Sequence, residues 1–148
     1  MTLEPQLKLA VLEDNRFVFG DAEMRLLEAI GRQGTLTEGA ATLGLSYRVA
    51  WGKLRALEAS VGSRLVERTV GGRGGGSSRL TDSGRRLVEQ YGRFRASVGA
   101  FALGEFERCF GAGCTDVVAG SQPETAEFRA PQRLIQVQDA PRLAREDS

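Results

Sequence analysis

The sequence predicts a mainly α-helical domain with small β elements, and three patterns lead to this prediction. Two short amphipathic helices flank a tight turn at residues 44–46, and the second helix carries several cations. A glycine-rich segment then separates two short strand patterns, and a long helix with apolar residues in heptad spacing follows. In this order the patterns indicate a winged helix-turn-helix with an N-terminal β-hairpin and a long C-terminal dimerisation helix.

The predicted DNA-binding domain covers residues 1–105, and its dimerisation helix spans about 82–104. The remaining residues, 106–148, hold three of the four prolines and no sustained hydrophobic period. Such a composition favours a flexible tail without a recognisable effector domain, in which only residues 134–137 have a strand pattern.

The basic residues are concentrated in the middle of the chain. The net charge is only +1, which by itself argues weakly against a nucleic-acid partner. Residues 46–95, however, hold 11 basic and 4 acidic residues, whereas the segments on either side are both acidic. Of the 20 cations, 18 are arginine, the side chain best suited to paired hydrogen bonds with phosphate and guanine. This distribution predicts a face that binds a polyanion.

Several classes of protein are disfavoured by what the sequence lacks. It contains no histidine, the commonest general base and metal ligand, and no nucleophile–base pair is recognisable. We therefore predict neither an enzyme nor a metal site nor a bound cofactor. No apolar run reaches 18 residues and the N-terminus lacks a secretion-signal pattern, so we expect no membrane partner and a cytoplasmic location.

A hairpin and a helix open the predicted domain. Two short apolar runs flank Asp14 and Asn15, which is the pattern of a β-hairpin with a turn at these two residues. Asp21 is then the expected N-cap of a helix over residues 22–31, in which apolar residues recur at helical spacing.

Two further caps define the helix-turn-helix. Thr37 is the predicted N-cap of the second helix and Ser46 that of the third, which runs to about Val61 before Gly62 ends it. Gly39 either costs the second helix about 1 kcal/mol or permits a close approach between backbones. The third helix carries one apolar stripe that is predicted to face the core: Ala50, Leu54, Leu57 and Val61.

The opposite face of the third helix is predicted to read DNA. Its N-terminal half presents Tyr47, Arg48 and Gly52 near base edges, because this end of a recognition helix enters the major groove. Trp51 is a candidate for stacking on DNA, although packing at the core or its border is the more frequent role of a lone tryptophan. The predicted DNA-contacting residues are Thr37, Ser46, Tyr47, Arg48, Gly52, Lys53, Arg55, Arg68, Arg73, Gly74, Ser77, Ser78 and Arg79.

Residues 68–79 are predicted to form the wing. Their loop places Arg73 among five glycines, so that a guanidinium and bare backbone can approach a phosphate or a minor groove. The loop lacks the Gly-Lys-Ser/Thr ending of a P-loop, which disfavours a nucleotide site. A plain flexible linker is the alternative, and the three arginines Arg68, Arg73 and Arg79 favour the wing.

The long helix is predicted to begin after the cap Thr81 and to end near Gly104. Its heptad seam consists of Leu87, Tyr91, Phe94, Val98 and Phe101. We predict homodimerisation along this seam, because its three aromatic rings would otherwise lie in water. The alternative is that the seam covers the domain's own first helix.

Two cysteines, Cys109 and Cys114, lie near the end of this helix. A reducing cytoplasm argues against a structural disulfide, and two thiols without histidine make a poor metal site. Ordinary thiols are the main interpretation, and redox sensing or binding of a thiophilic metal is the alternative.

Four blocks of the sequence resemble a known family. The segments SYRVAW (46–51), LVER (65–68), GGRGGG (71–76) and LTDSGRRL (80–87) resemble, in this order, the DNA-binding domain of the ModE family of molybdate-responsive transcription regulators. Residues 54–68 also resemble the LysR-type helix-turn-helix. The ModE resemblance covers about residues 5–105, and SYRVAW followed by GGRGGG is its most specific part.

The resemblance implies a dimer that binds a palindromic operator, with residues 46–58 as the recognition helix. In the ModE family the effector is molybdate or tungstate, and small β-barrel domains after the long helix bind it. The 44 residues that follow Gly104 are fewer than paired barrels need. The resemblance therefore implies the DNA-reading part of the family and leaves molybdate or tungstate binding open.

The sequence as a whole predicts a homodimeric, sequence-specific transcription regulator whose partner is double-stranded DNA. Two other functions stay open. One is a winged-helix adaptor whose basic face docks an acidic protein, and the other is an oxyanion or redox sensor that acts through the tail.

Overall fold

The structure is a computed structural model that describes residues 3–71 and 76–111. Within these ranges it contains two antiparallel two-stranded sheets and four helices. The strands are β1 (Ala10–Glu13), β2 (Arg16–Gly20), β3 (Val66–Thr69) and β4 (Ser77–Leu80), and the helices are α1 (Asp21–Gln33), α2 (Leu36–Thr42), α3 (Tyr47–Val61) and α4 (Asp82–Phe110). The predicted winged helix-turn-helix with an N-terminal hairpin and a long last helix is confirmed.

The core lies where the first three helices meet the base of the second hairpin and one side of α4. Its buried apolar residues are Met24, Leu26, Leu27, Ile30, Leu36, Ala40, Ala50, Leu54, Leu57, Leu65, Val66 and Tyr91. Burial of these side chains is the main favourable contribution to folding, at about 25 cal/mol for each Å² of apolar surface.

The turn of the N-terminal hairpin consists of Asp14 and Asn15, as predicted. Their φ angles are 47° and 63°. Asp and Asn tolerate this left-handed region better than most other residues. Two such residues in succession suit a two-residue hairpin turn, whose backbone twist matches that of the flanking strands.

The N-cap of α1 is Gly20, so the prediction of Asp21 was wrong by one residue. The N–H of Gly20 donates to the carboxylate of Glu23 at 3.1 Å, which closes the first turn. Asp21 is already helical, and its carboxylate accepts from the N–H of Leu9 at 3.0 Å. The segment before β1 supplies this donor, and local propensity carries no information about such a distant partner.

The N-cap of α2 is Thr35, so the prediction of Thr37 was also wrong. The Thr35 hydroxyl accepts from the N–H of Glu38 at 3.1 Å and donates to the Glu38 carboxylate at 3.0 Å. This earlier start brings Leu36 into the first turn, where it is buried, and leaves Thr37 exposed. Burial of Leu36 favours the observed start, because it adds an aliphatic side chain to the core.

Gly39 marks a close approach between α1 and α2. A Cβ atom at this position would lie 2.9 Å from the backbone nitrogen of Ile30. Of the two interpretations of this glycine, close backbone packing is therefore the correct one.

The limits and the buried stripe of α3 are as predicted. Ser46 caps the helix by accepting from the N–H of Val49 at 3.2 Å, and Gly62 ends it with a φ of 66°. The apolar stripe of α3 faces the core, with Ala50, Leu54 and Leu57 buried. The face opposite this stripe is consequently turned to solvent.

The second hairpin is held at its base from two sides. The N–H groups of Leu65 and Val66 donate to one carboxylate oxygen of Glu58 in α3, at 2.8 and 3.2 Å. In β4, the N–H of Ser78 donates to the carbonyl of Gly34 at 2.6 Å. The hairpin is thus attached both to α3 and to the turn that follows α1.

The last helix begins after the predicted cap, Thr81, and runs to Phe110. The predicted end near Gly104 was too early. A glycine costs a helix about 1 kcal/mol relative to alanine. The helix nevertheless continues past Gly104, and within this extension the ring centres of Phe106 and Phe110 lie 5.1 Å apart in a stacked arrangement. No helix among the described residues is both long enough and apolar enough to span a membrane.

Candidate nucleic-acid interface

The solvent-facing side of α3 carries the residues that the sequence predicted to lie near base edges. Tyr47 is 42% exposed, and Arg48 and Gly52 are exposed as well. A Cβ atom at Gly52 would meet nothing within 4 Å beyond its chain neighbours and the backbone of its own helix, so this side of the helix is open. The spacing of these positions places them away from the buried stripe, on the face that a groove would meet.

Arg68 in β3 lies against two aromatic rings of α3. Its guanidinium carbon is 4.7 Å from the ring centre of Trp51 and 5.8 Å from that of Tyr47. The Nη2 group of Arg68 also donates to the Tyr47 hydroxyl at 2.7 Å. Arg55 approaches the Trp51 ring as well, at 5.6 Å. Trp51 is half-buried and packs against the core. This position agrees with the prediction that a lone tryptophan packs at the core or its border more often than it stacks on DNA.

The predicted DNA-binding cations differ in whether a carboxylate neutralises them. Lys53 forms an ion pair with Glu23 of α1 at 3.5 Å, and Arg79 pairs with Glu67 across the second hairpin at 3.1 Å. Arg48, Arg55 and Arg68 have no carboxylate within 4.0 Å in the part of the chain that the structure describes. Among the described residues, the net positive charge of this face therefore comes from these three arginines.

A cleft of about 380 Å³ lies between the turn before α2, the first residue of α3 and the loop side of the second hairpin. Its lining includes Thr35, Thr37, Tyr47, Arg68 and Ser77. Hydroxyl groups and a guanidinium are donors that suit the phosphate oxygens of a nucleic-acid backbone. The structure thus brings predicted contact residues from α2, α3 and β4 together at one cleft.

Other predicted contact residues are placed differently. Ser78 lines the same cleft but is only 5% exposed, so little of its surface is open to a partner, and its DNA contact stays a prediction. The Ser46 hydroxyl is engaged in the cap of α3. Arg73 and Gly74 lie outside the described residues.

The heptad seam of α4 divides into two parts. Tyr91 is 7% exposed, and Leu87 also packs against the core of its own domain. The domain itself therefore covers these two residues, and Tyr91 contacts α1 through Asp21, as the alternative prediction has it. Phe94 and Phe101 are 49% and 71% exposed, and Val98 is half-buried. Leu103 and Phe110 are also exposed. Leu103 was absent from the predicted seam because it falls outside the heptad spacing, and Phe110 because it lies beyond the predicted end of the helix.

A polar junction, absent from the sequence-based predictions, joins α4 to the start of α1. The Tyr91 hydroxyl donates to Asp21 Oδ1 at 2.6 Å, and Arg95 Nε donates to the same oxygen at 3.0 Å. Arg95 Nη2 donates in addition to the carbonyl of Leu7 at 3.0 Å. These contacts join segments up to 88 residues apart, a relationship that no local pattern in the sequence contains.

The junction shifts the acidity of its members. Burial by itself raises the pKa of Asp21, but hydrogen bonds from Tyr91, Leu9 and Arg95, together with the charge of Arg95, outweigh it and lower that pKa below its ordinary value. Burial, followed by the hydrogen bond to Asp21, raises the pKa of Tyr91. Asp21 is therefore held as an anion and Tyr91 as a neutral donor.

The fold and this face define the class of protein: a winged helix-turn-helix domain with a positively charged recognition helix. Residues 22–85 match the family model described as bacterial regulatory helix-turn-helix protein, lysR family. This segment of the chain is therefore similar to the LysR-type helix-turn-helix.

Proteins named for molybdenum are similar to this chain. It is 34% identical over 120 residues to molybdenum-pterin-binding protein MopB of Rhodobacter capsulatus, covering 81% of this chain and 44% of MopB. It is 44% identical over 71 residues to molybdenum transport protein ModE of Azotobacter vinelandii, covering 48% of this chain and 26% of that protein. It is 36% identical over 84 residues to DNA-binding transcriptional dual regulator ModE of Escherichia coli (strain K12), covering 56% of this chain and 32% of that protein. The predicted resemblance to ModE proteins is confirmed, and the chain spans less than half the length of these relatives.

Among solved structures, the CbnR_DBD-DNA complex is similar to this chain with a TM-score of 0.48 and 24% sequence identity. The similarity covers 62% of this chain and 97% of that chain.

Proposed function

We propose that this chain is a sequence-specific DNA-binding transcription regulator. The observation that carries the proposal is the set of three arginines, Arg48, Arg55 and Arg68, for which the described residues supply no carboxylate partner. Phosphate groups would stabilise such a cluster, and α3 presents it at the position of a recognition helix. The name of one relative, a DNA-binding transcriptional dual regulator, supports the same function.

The proposal includes a homodimer on a palindromic operator. The outer part of α4 exposes Phe94, Phe101 and Leu103, and the same part of a second copy is a suitable cover for them. Two recognition helices would then enter successive major grooves about 34 Å apart. In this proposal the part of the chain up to the end of α4 at Phe110 supplies DNA reading and pairing.

We further propose that the chain acts in the cytoplasm, is not an enzyme, and controls genes of molybdate or tungstate metabolism. The absence of histidine from the sequence supports the second point, and the names of the molybdenum-related proteins support the third. Sequencing of the DNA recovered with the protein from cells tests the third point. Sites beside molybdenum uptake or cofactor genes are expected, and sites only beside unrelated genes would contradict it.

Gel-shift titrations on the recovered operator, at several salt concentrations, test the role of α3. We expect Arg48→Ala to cost about 1–3 kcal/mol of binding free energy and to relax the preference at the base pair it reads. Arg93→Ala is the matched control, because it also removes one exposed arginine, yet lies on α4 beside Glu89. If Arg48→Ala binds as tightly and as selectively as the unmodified protein, the recognition role of α3 is wrong.

Footprinting separates a DNA reader from a protein adaptor. A discrete, palindromic protected site is the expected result for a dimeric regulator. Salt-dependent retention on heparin without protection of any site would favour an adaptor whose basic face docks an acidic protein.

A further inference from the structure

We propose that Arg68 is a positioning residue that locks the wing to the recognition helix, rather than a residue that acts mainly by contacting phosphate. The inference deepens the proposed function. Its test on operator DNA rests on that function, whereas its test on the free protein does not. The stack formed by Arg68 with Tyr47 and Trp51 is its structural basis.

The position of Arg68 along the wing gives the stack its effect. At the base of the second hairpin, Glu58 of α3 already accepts the N–H groups of Leu65 and Val66. Arg68 lies further towards the glycine-rich loop and provides a second attachment to α3, through the Tyr47 hydroxyl at 2.7 Å. Opposite Arg68, the N–H of Ser78 ties the other strand to the carbonyl of Gly34, outside α3. Arg68 is therefore the contact that links this level of the hairpin to α3, and it helps to fix the angle between the wing and the recognition helix.

The chemistry of the stack requires arginine. The planar guanidinium can lie against the Trp51 ring and at the same time donate an N–H to the Tyr47 hydroxyl. A lysine ammonium keeps the charge but has neither the planar face nor the fixed fork of donors. A substitution that conserves charge is therefore expected to lose the attachment.

The charge of the stack fits a surface that is completed by DNA. Arg55 and Arg68 both lie against the ring of Trp51, at 5.6 and 4.7 Å, and no carboxylate of the described residues pairs with either. Two cations on one ring repel each other in the free protein, and a nearby phosphate removes that repulsion. The stack thus aligns the wing before binding and becomes more stable on the polyanion.

The first test uses the free protein, because Trp51 is the only tryptophan in the chain and reports on the stack directly. Arg68→Lys should shift or brighten the Trp51 emission and speed amide hydrogen exchange in β3 and β4. Arg79→Lys is the matched control, since Arg79 lies on the facing strand and pairs with Glu67. We expect its emission and exchange to stay unchanged. If emission and exchange are unchanged in Arg68→Lys as well, Arg68 does not hold the wing.

The second test uses the operator. Arg68→Lys should weaken binding by about tenfold, the range expected for a lost arginine–aromatic contact, while the slope of affinity against salt stays the same because the charge is kept. Tyr47→Phe, which keeps the ring and removes the hydroxyl, should give a smaller loss. Undiminished affinity of Arg68→Lys would overturn the proposal. Failure of the unmodified protein to bind any operator would instead overturn the proposed function, and the free-protein test would still decide whether Arg68 holds the wing.

Discussion

Two arginines bridge distant parts of this chain in opposite chemical surroundings. Arg95 of α4 reaches the carboxylate of Asp21 and the carbonyl of Leu7, so its charge is neutralised at a junction inside the domain. Arg68 of β3 reaches the rings of Trp51 and Tyr47, which leave its charge uncompensated on an exposed face. Residue type alone does not separate a structural arginine from one that serves a nucleic-acid surface. The partner of the guanidinium separates the two roles, because a carboxylate compensates the positive charge of the arginine and an aromatic ring does not.

The two tyrosines that accompany these arginines should give the largest contrast. Tyr91 is buried and donates to Asp21, whereas Tyr47 is exposed and accepts from Arg68. We expect Tyr91→Ala to lower the free energy of unfolding by about 3–5 kcal/mol, as for other large core truncations. Tyr47→Ala should lower it by less than about 1 kcal/mol and weaken operator binding instead. Urea denaturation at a fixed protein concentration measures the stability of each variant, and gel shift measures its operator binding. Equal losses of stability in the two variants would contradict the division into a structural and a DNA-facing tyrosine.

Removing the carboxylate of the junction should have the next largest effect. Asp21→Asn leaves Arg95 partly buried without its anion, and we expect a loss of about 1–2 kcal/mol in the free energy of unfolding. Glu89→Gln is the matched control, because its ion pair with Arg93 is exposed and 3.9 Å long, and should change little. Thermal and urea denaturation compare the two variants. A loss as small in Asp21→Asn as in Glu89→Gln would mean that the junction does not stabilise the fold.

Acid should weaken the junction more than the arginine–aromatic stack. The pKa of Asp21 is lower in the folded protein than in the unfolded chain, so its stabilising contribution is fully present above the unfolded value of about 3.9 and is lost as the pH falls through the folded value. Urea midpoints at pH 5 and pH 3 should therefore differ more for the unmodified protein than for Asp21→Asn. Parallel losses in both proteins would exclude Asp21 as a source of acid sensitivity.

The smallest expected effect concerns neighbouring cations on α3. Arg55→Ala should reduce the slope of log affinity against log salt by about 1, because the described residues supply no carboxylate for Arg55 and leave it available to a phosphate. Lys53→Ala should change that slope less, because Glu23 already neutralises Lys53. Both slopes come from the same gel-shift series. A larger change for Lys53→Ala would show that carboxylate pairing does not select the DNA-binding cations.

Sequence patterns were sufficient where the relevant interactions are local. The turn at Asp14 and Asn15, the cap at Ser46 and the glycine at Gly62 each depend on neighbours a few residues away, and the structure agrees with all three. The caps of α1 and α2 were misplaced because the Asp21 carboxylate has a donor in another segment and the Leu36 side chain is drawn into the core. Competition between local and distant partners is not visible in a local pattern.

The candidate interface was predictable in composition and only partly in geometry. Tyr47, Arg48 and Gly52 are exposed on α3 as their spacing predicted. Spacing did not indicate that Lys53 pairs with Glu23, nor that the domain itself buries Ser78. Each of these outcomes depends on which element packs beside the residue, and that is a property of the assembled domain.

The sequence by itself determined the order of the elements, the buried stripe of α3 and the concentration of arginine between residues 46 and 95, because hydrophobic period, capping residues and charge are written along the chain. Only the tertiary structure decided that Arg95 pairs with a carboxylate while Arg68 lies against aromatic rings. These two arginines meet partners 74 and 17 to 21 residues away, and only folding brings such separated groups within a few ångströms.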